Sequence, residues 1–207
     1  DAKGSLLSGP WTVETEPIPG DDLVLTLDSV VQQVAEEALE WGVKKFNAKG
    51  GSVIVMDPHT GELLALANSP NYDPNTPSRA SLEHRRNRAV TDLFEPGSIF
   101  KILTAAALIE EGRITPGEQI FCENGAYPIP GRHILHDHRP HGLLSFQEVI
   151  KLSSNIGTAK AAQRLTPEEM YRHIRAFGFG QRTRVDMPGE VSGIVPVPGS
   201  WSKVSSW

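Results

Sequence analysis

The sequence predicts an α+β fold, and three patterns carry that prediction. Over residues 28–46 apolar side chains recur at helical spacing, with Glu early and Lys late in the segment. Two short apolar runs, residues 52–57 and 62–68, flank Pro58-His59-Thr60-Gly61, a turn signal that favours an antiparallel hairpin. Beyond residue 98, helix-start signals recur along the chain. We therefore expect helices packed on an antiparallel sheet.

Local signals place the other elements. Residues 1–27, rich in Pro and Gly, predict an extended lead-in that closes with a short strand at 23–27. A long polar connection from residue 69 to residue 88 is expected to be a solvated loop. An apolar run predicts a buried helix, and Ser/Thr-x-x-Glu capping boxes begin two later helices. The helices after the hairpin are predicted over residues 99–109, 145–152, 156–164 and 166–178, before an irregular Pro- and Gly-rich segment.

The composition excludes several classes of function. The 25 acidic residues outnumber the 20 basic residues, for a net charge of −5, so we expect no nucleic-acid partner. Cys122 is the only cysteine, which rules out an internal disulfide and a cysteine-based metal site. We expect no cofactor and no metal. No apolar run is long enough to cross a membrane, and the chain does not begin with Met, which is typical of a processed piece.

A candidate catalytic site is indicated by the segment Glu95-Pro96-Gly97-Ser98-Ile99-Phe100-Lys101. Pro and Gly place a turn before the apolar helix, so Ser98 falls in its first turn, where free N–H groups can stabilise an oxyanion. Lys101 lies one turn further on the same face and is the only charge in the apolar run. Burial disfavours the ammonium, so a neutral Lys101 could take the proton of a serine hydroxyl. The plain alternative is a capping Ser and a Lys that reaches solvent.

A second polar group occupies a helix-to-helix corner at Ser153-Ser154-Asn155. A hydroxyl and an amide at this corner could relay a proton and hold a peptide-like substrate. The alternative is that either serine simply caps the following helix.

These two elements, Ser98-x-x-Lys101 and Ser153-x-Asn155, resemble in type and order the motif set of penicillin-binding proteins and serine β-lactamases. Further segments resemble, more narrowly, the class B or monofunctional penicillin-binding proteins. These segments are Leu25-Thr26-Leu27-Asp28, Gly51-Ser52-Val53, Gly61-Glu62-Leu63-Leu64-Ala65, Asn87-Arg88-Ala89, His141-Gly142, Ser153-Ser154-Asn155-Ile156-Gly157 and Pro188-Gly189-Glu190. The resemblance covers essentially the whole chain.

The resemblance implies a peptidoglycan D,D-transpeptidase and assigns roles to four residues. Ser98 would be the nucleophile that attacks the penultimate D-Ala carbonyl of a stem peptide, and its N–H would donate to the oxyanion. Lys101 would be the base. Ser153 would pass the proton toward the leaving amine, and Asn155 would bind the substrate amide. β-Lactams would acylate the same Ser98 and leave slowly.

The resemblance also implies the setting of the protein. The fold would be the β-lactamase/transpeptidase-like type, an antiparallel sheet flanked by helices with a helical subdomain. Residues 1–27 would be a lead-in from a pedestal region, and residues 28–207 the N-terminal part of the transpeptidase domain. The implied location is outside the cytoplasm, with an N-terminal membrane anchor in the full-length protein. The implied partners are peptidoglycan stem peptides, β-lactams and proteins of the cell-wall synthesis complex.

One element of the family pattern is absent. The third motif, Lys-Thr-Gly or Lys-Ser-Gly, does not occur, and Lys203-Val204-Ser205 does not replace it. In the family that strand flanks the substrate and supplies a second oxyanion donor. We therefore expect the C-terminal strands of the sheet, with this motif, to lie beyond Trp207, and the fragment alone to be inactive.

Two alternatives stay within acyl-enzyme chemistry. A class A β-lactamase needs a glutamate that activates the deacylating water; Glu190 lies at a suitable distance after Asn155, but no Asn follows at the expected offset. A sensor domain would be acylated by β-lactams without turnover. A bifunctional protein with a glycosyltransferase domain is disfavoured, because Glu95 stands where that branch usually has Gln.

A metal-binding module is the alternative of another class. His133, His136, His138 and His141 crowd around Asp137, and imidazole with carboxylate can ligate zinc. The spacing is irregular and no cysteine joins the cluster, which favours a polar connecting loop.

Overall fold

The computed structural model describes residues 18–129 and 133–201, with His133 described for its main chain only. The predicted lead-in up to residue 17 and the segment Lys203-Val204-Ser205 lie outside the described residues. The chain divides after Pro70 into two compact units. Each unit is built from helices and short antiparallel strands, so the predicted α+β class is confirmed.

The helices and strands are as follows. The α-helices are α1 (Ser29–Phe46), α2 (Arg88–Thr91), α3 (Phe100–Glu110), α4 (Phe146–Lys151), α5 (Asn155–Ala162) and α6 (Pro167–Ala176). The strands are β1 (Gly51–Met56), β2 (Leu63–Ser69), β3 (Gln119–Phe121), β4 (Ala126–Ile129), β5 (His133–His136) and β6 (Leu143–Ser145). Single 3-10 turns lie at Pro77–Arg79, Gly97–Ile99, Glu123–Gly125 and Pro198–Ser200.

The first unit is α1 packed on the β1–β2 hairpin. The Oδ1 of Asp28 accepts from the N–H groups of Val30 and Val31 at 2.9 and 3.0 Å, so the predicted N-cap is confirmed. The strands pair antiparallel, as predicted, from Gly51 opposite Ser69 to Met56 opposite Leu63. The buried residues at the centre of this unit are Ala35, Ala65 and Ala67, with Val31, Leu39, Val53 and Val55 packed around them.

The prediction of a short strand at residues 23–27 is wrong. No strand forms there, and Val24 is 91% exposed. Two hydrogen bonds join the end of the segment to β2: the Asp28 N–H donates to the carbonyl oxygen of Leu64, and the Thr26 hydroxyl donates to that of Leu63. Apolar side chains without a paired neighbour do not make a strand.

The second unit has a helical core and two short ladders. Strand β3 pairs with β6, and β4 pairs with β5, both antiparallel. Residues from α3, α4, α5 and α6 share one apolar core, which includes Leu108, Phe146, Val149 and Ile156, each fully buried. The four strands that the structure describes in this unit are not predicted from the sequence, because runs of three or four residues have too little periodicity of their own.

Helix α3 is less buried than its composition predicts. Leu103, Ala107 and Leu108 face the core, but Ile102 and Ile109 are 64% and 49% exposed. The helix is therefore buried on one side only. Among the described residues, no helix has both the length and the apolar character needed to cross a membrane.

The predicted capping boxes form. Ser145 Oγ accepts from the N–H of Glu148, whose carboxylate accepts from the N–H of Ser145, at the start of α4. Thr166 and Glu169 make the same reciprocal pair at the start of α6. Since these bonds are local, the helix starts follow directly from the sequence.

Candidate active site

Ser98 lies at the entrance to α3, on a turn shaped by its neighbours. Pro96 is followed by Gly97 with φ +59°, a left-handed conformation in which any other side chain would be strained. The chain then makes the 3-10 turn Gly97–Ile99 and continues as α3. Ser98 is exposed in this first turn, where main-chain N–H groups lack helical acceptors. It therefore occupies the position that the sequence predicts, while its role as nucleophile stays a prediction.

Lys101 extends from α3 to the corner before α5. Its Nζ lies 2.6 Å from the main-chain oxygen of Ser153, 3.0 Å from the Oγ of Ser153 and 2.6 Å from the Oδ1 of Asn155. Partial burial lowers the pKa of Lys101, and the negative charge of Asp137 opposes that shift. Within the described residues, its hydrogen bonds go to this corner rather than to Ser98.

The three contacts of Lys101 are compatible with both of its protonation states. The carbonyl oxygens of Ser153 and Asn155 can only accept, so each takes one N–H of the amine. The ammonium form has a third N–H for the hydroxyl of Ser153, whereas the neutral form has a lone pair there and accepts the hydroxyl proton. A proton can thus pass between Ser153 Oγ and Lys101 Nζ without movement of either side chain.

Ser153 ends α4 in a left-handed conformation. Its N–H donates to the carbonyl of Ile150 at 3.1 Å, and the next N–H, of Ser154, donates to that of Val149 at 2.9 Å. This paired bonding is the Schellman C-cap, whose left-handed position is usually Gly. Ser153 occupies it with φ 56°. A strained conformation at a non-glycine residue persists only where surrounding contacts hold it.

Ser154, the next residue, begins α5. Its Oγ accepts from the N–H of Gly157 at 2.9 Å, and its side chain is buried. The alternative from sequence, that one serine is a cap, is therefore correct for Ser154. Because the C-cap and the N-cap follow each other without a spacer, Ser153 and Asn155 both reach Lys101.

Asp137 is the residue of this site that the sequence analysis missed. Its Oδ2 accepts from the Ser154 hydroxyl at 2.7 Å, and its Oδ1 accepts from the N–H groups of Asn155 and Ile156 at 2.6 and 3.0 Å. The sequence indicated Asp137 only as part of a possible metal cluster. Its partners lie 17 to 19 positions away, so no local pattern could have revealed the contact.

Both ends of the Asn155 amide are engaged. The Oδ1 accepts from Lys101, and the Nδ2 donates to the main-chain oxygen of His136 at 2.8 Å. Because an amide nitrogen carries two N–H groups, one remains for a substrate carbonyl. The predicted role of Asn155 in binding substrate stays a prediction, and the structure adds a second, architectural one.

The histidine-rich segment does not assemble a metal centre among the residues whose side chains the structure describes. The side chain of His133 is not among them. His136 and His138 flank Asp137, while Asp137 turns to α5. The segment is a connection after β5 that places the carboxylate of Asp137 at the start of α5.

Glu190 is held by its own loop. Its carboxylate accepts from the N–H and the hydroxyl of Thr183, both at 2.6 Å, and from the N–H of Arg184 at 3.2 Å. These contacts lower the pKa of Glu190, and the hydrogen bond from the Thr183 hydroxyl has the largest effect. An ionised carboxylate with this set of donors closes a loop and is poorly suited to act as a base.

Comparison with known proteins gives concordant results. The family model "Penicillin binding protein transpeptidase domain" matches residues 51–206. A Neisseria flavescens protein named "Probable peptidoglycan D,D-transpeptidase PenA" is 39% identical over 188 residues, which are 91% of this chain and 46% of that protein. The chain thus spans about half the length of this curated relative.

Solved structures agree with the sequence match. A structure described as a peptidoglycan glycosyltransferase from Burkholderia ambifaria superposes with a TM-score of 0.78 at 37% identity, over 88% of this chain and 54% of that one. The apo transpeptidase domain of Burkholderia pseudomallei penicillin-binding protein 3 superposes with a TM-score of 0.77 at 34% identity, over 91% and 52%. The helix start at Ser98, the contacts of Lys101 and the family match lead to one conclusion: the chain belongs to the penicillin-binding protein transpeptidase family.

Proposed function

We propose that the protein is a peptidoglycan D,D-transpeptidase that works through an acyl-enzyme at Ser98. The observation that carries the proposal is the triple contact of Lys101 with Ser153 and Asn155, one helical turn after an exposed Ser98. A lysine with a lowered pKa, in contact with the hydroxyl of Ser153 and one helical turn from Ser98, is suited to move protons at a carbonyl centre.

In the acylation step the Oγ of Ser98 forms a bond to the penultimate D-Ala carbonyl carbon and its proton passes to the neutral Lys101. The main-chain N–H of Ser98 donates to the oxyanion. The carbon–nitrogen bond to the terminal D-Ala then breaks. The leaving nitrogen takes a proton delivered through Ser153, which recovers one from Lys101 across their 3.0 Å contact.

In the second step an amine of another stem peptide attacks the ester carbon and its proton passes to Lys101. The bond to Ser98 then breaks, and the Oγ of Ser98 takes that proton from Lys101, which is neutral again. A β-lactam would open at its ring amide by the same first step. The amine released by ring opening stays covalently attached to the acyl group on Ser98, and this slows the loss of the acyl group from the ester.

Two further points belong to this proposal. We propose that residues 28–207 are the N-terminal part of the transpeptidase domain, after a lead-in over residues 1–27; the family match over residues 51–206 supports this. We also place the protein outside the cytoplasm, membrane-anchored in its full-length form and working with cell-wall synthesis proteins, since its substrate lies there. A Lys-Thr-Gly or Lys-Ser-Gly element encoded downstream in the parent gene would support the boundary.

Mass spectrometry with benzylpenicillin tests the proposal, on the protein expressed from its complete gene. Wild type should gain the mass of one penicillin, and Ser98→Ala should gain none. An equal adduct on Ser98→Ala would refute the assignment. Addition of D-amino acid acceptors to an acyl-enzyme formed from a thioester substrate should yield the amide product. An adduct that never transfers to amines would favour the sensor function instead.

A further inference from the structure

We propose that Asp137 is a positioning residue for acylation at Ser98: its carboxylate holds the start of α5 so that Ser153 and Asn155 face Lys101. This inference rests on the proposed function. None of the roles implied by the motif set includes Asp137, and its position in the site comes only from the fold.

The contacts of Asp137 join two separate elements. Asp137 follows β5, and its two oxygens together accept three hydrogen bonds, from Ser154 Oγ and from the N–H groups of Asn155 and Ile156. The N–H groups are the free donors at the start of α5, where a negative charge is favoured. The carboxylate therefore determines where α5 begins relative to β5.

The hydroxyl of Ser154 has no equally good alternative acceptor among the described residues. Ser154 is 1% exposed, and its Oγ already accepts from the N–H of Gly157. Its single proton goes to Asp137 at 2.7 Å, with the Sγ of Cys122 as a weaker neighbour at 3.5 Å. A neutral amide at position 137 keeps only one accepting oxygen, so it cannot accept from the Ser154 hydroxyl and from the α5 N–H groups on opposite sides at once.

Asp137 acts on both residues that contact Lys101. Ser153, which immediately precedes Ser154, holds a left-handed conformation that its neighbours must maintain. The main-chain N–H of Asn155 donates to Asp137, and its side-chain amide donates to the adjacent carbonyl of His136. Loss of the carboxylate should therefore make the positions of Ser153 and Asn155, which accept from the Lys101 amine, less well defined.

Asp137 also acts on Lys101 through its charge. The negative charge favours the ammonium form and raises the pKa of Lys101 against the larger effect of burial. The groups that face Lys101 from the α5 corner, Ser153 and Asn155, are neutral. On the β5 side, His136 and His138 flank Asp137. Among the described residues, Asp137 is the charged group that shifts the pKa of Lys101.

The charge and the geometry can be separated by two variants. Asp137→Asn keeps the size and one accepting oxygen but removes the charge. Asp137→Glu keeps the charge but displaces the carboxylate by one methylene. The second-order rate of acylation by benzylpenicillin is measured against pH for both variants and wild type, each expressed from the complete gene, with folding checked by circular dichroism.

Asp137→Asn should acylate about tenfold more slowly at the plateau, because a small misplacement of catalytic groups is costly. In a plot of acylation rate against pH, the rise on the acid side should move to lower pH for this variant, since loss of the negative charge destabilises the Lys101 ammonium. We call this rise the acid limb. Asp137→Glu should also acylate about tenfold more slowly at the plateau. Its acid limb should stay at the same pH as in wild type, because the negative charge is kept. The Glu variant keeps the test decisive if the Asn variant does not fold.

The proposal is overturned if either variant acylates at the wild-type rate, or if Asp137→Asn is slow but its acid limb does not move. That last result would mean that Asp137 only stabilises the fold. Failure of the proposed function looks different: wild type itself would then form no adduct at Ser98.

Discussion

Asn155 accepts a hydrogen bond from Lys101 at 2.6 Å, and the two residues are 54 positions apart in the chain. The bond joins the helix that follows Ser98 to the helix that follows Ser154. The amine also contacts the main-chain oxygen and the Oγ of Ser153, so all three of its hydrogen bonds depend on how α3 packs beside the start of α5. The relation between α3 and α5 is therefore part of the chemistry of the site.

The pH dependence of acylation should report Lys101. The neutral amine is the base and burial lowers its pKa, so acylation should rise with pH and reach a plateau below the pH at which an ordinary lysine loses its proton. Stopped-flow acylation by a chromogenic β-lactam measures this. Lys101→Met should abolish the reaction, and the matched change at an exposed lysine, Lys49→Met, should leave the profile unchanged. A rate independent of pH in wild type would contradict the role of Lys101.

Two substitutions of Ser153 should separate its backbone role from its chemical role. At φ 56° a glycine is unstrained and an alanine is not, so Ser153→Gly should be about 1 kcal/mol more stable to urea than Ser153→Ala. Both variants lack the hydroxyl, so both should lose acylation. An alanine variant more stable than the glycine variant would contradict the strain, and normal acylation by either would remove Ser153 from the proton path.

Gly157 should tolerate no side chain. A Cβ at this position would lie 2.6 and 2.7 Å from the two methyl groups of Val149 and 3.1 Å from the Sγ of Cys122. Overpacking of this kind should lower the free energy of unfolding of Gly157→Ala by about 1–3 kcal/mol. Urea denaturation monitored by circular dichroism measures the loss.

Gly117, in the same unit, offers the matched control for Gly157. A Cβ at Gly117 would have no neighbouring atom within 4 Å, and the φ of Gly117 lies outside the left-handed range. Gly117→Ala should therefore change the free energy of unfolding by less than about 0.5 kcal/mol. Equal stability of the two variants would argue against the close packing of α5 on α4.

Glu190→Gln tests the β-lactamase alternative. Since the Glu190 carboxylate is bound by Thr183 and Arg184, it is not available to activate a water molecule. The variant should therefore hydrolyse its penicilloyl ester as slowly as wild type, which loss of the adduct mass over time would show. A wild-type enzyme that turns over rapidly, together with an arrested Glu190→Gln acyl-enzyme, would instead support a β-lactamase.

Features within one or two turns of chain were predictable. The N-cap at Asp28, the capping boxes at Ser145 and Thr166 and the turn before Ser98 form as expected, because each depends on groups no more than about three residues apart. The strand at residues 23–27 does not form, because a strand depends on a partner that periodicity cannot supply.

The sequence by itself determined the helix starts, the hairpin and the two motifs, since capping and turn formation are settled by near neighbours. Only the tertiary structure decided what the motifs contact. It brought Lys101 to Ser153 and Asn155, and it placed Asp137 on the first N–H groups of α5. Hydrogen bonds between residues so far apart depend on how α3, α5 and β5 pack, and that packing is a property of the whole core rather than of any one segment.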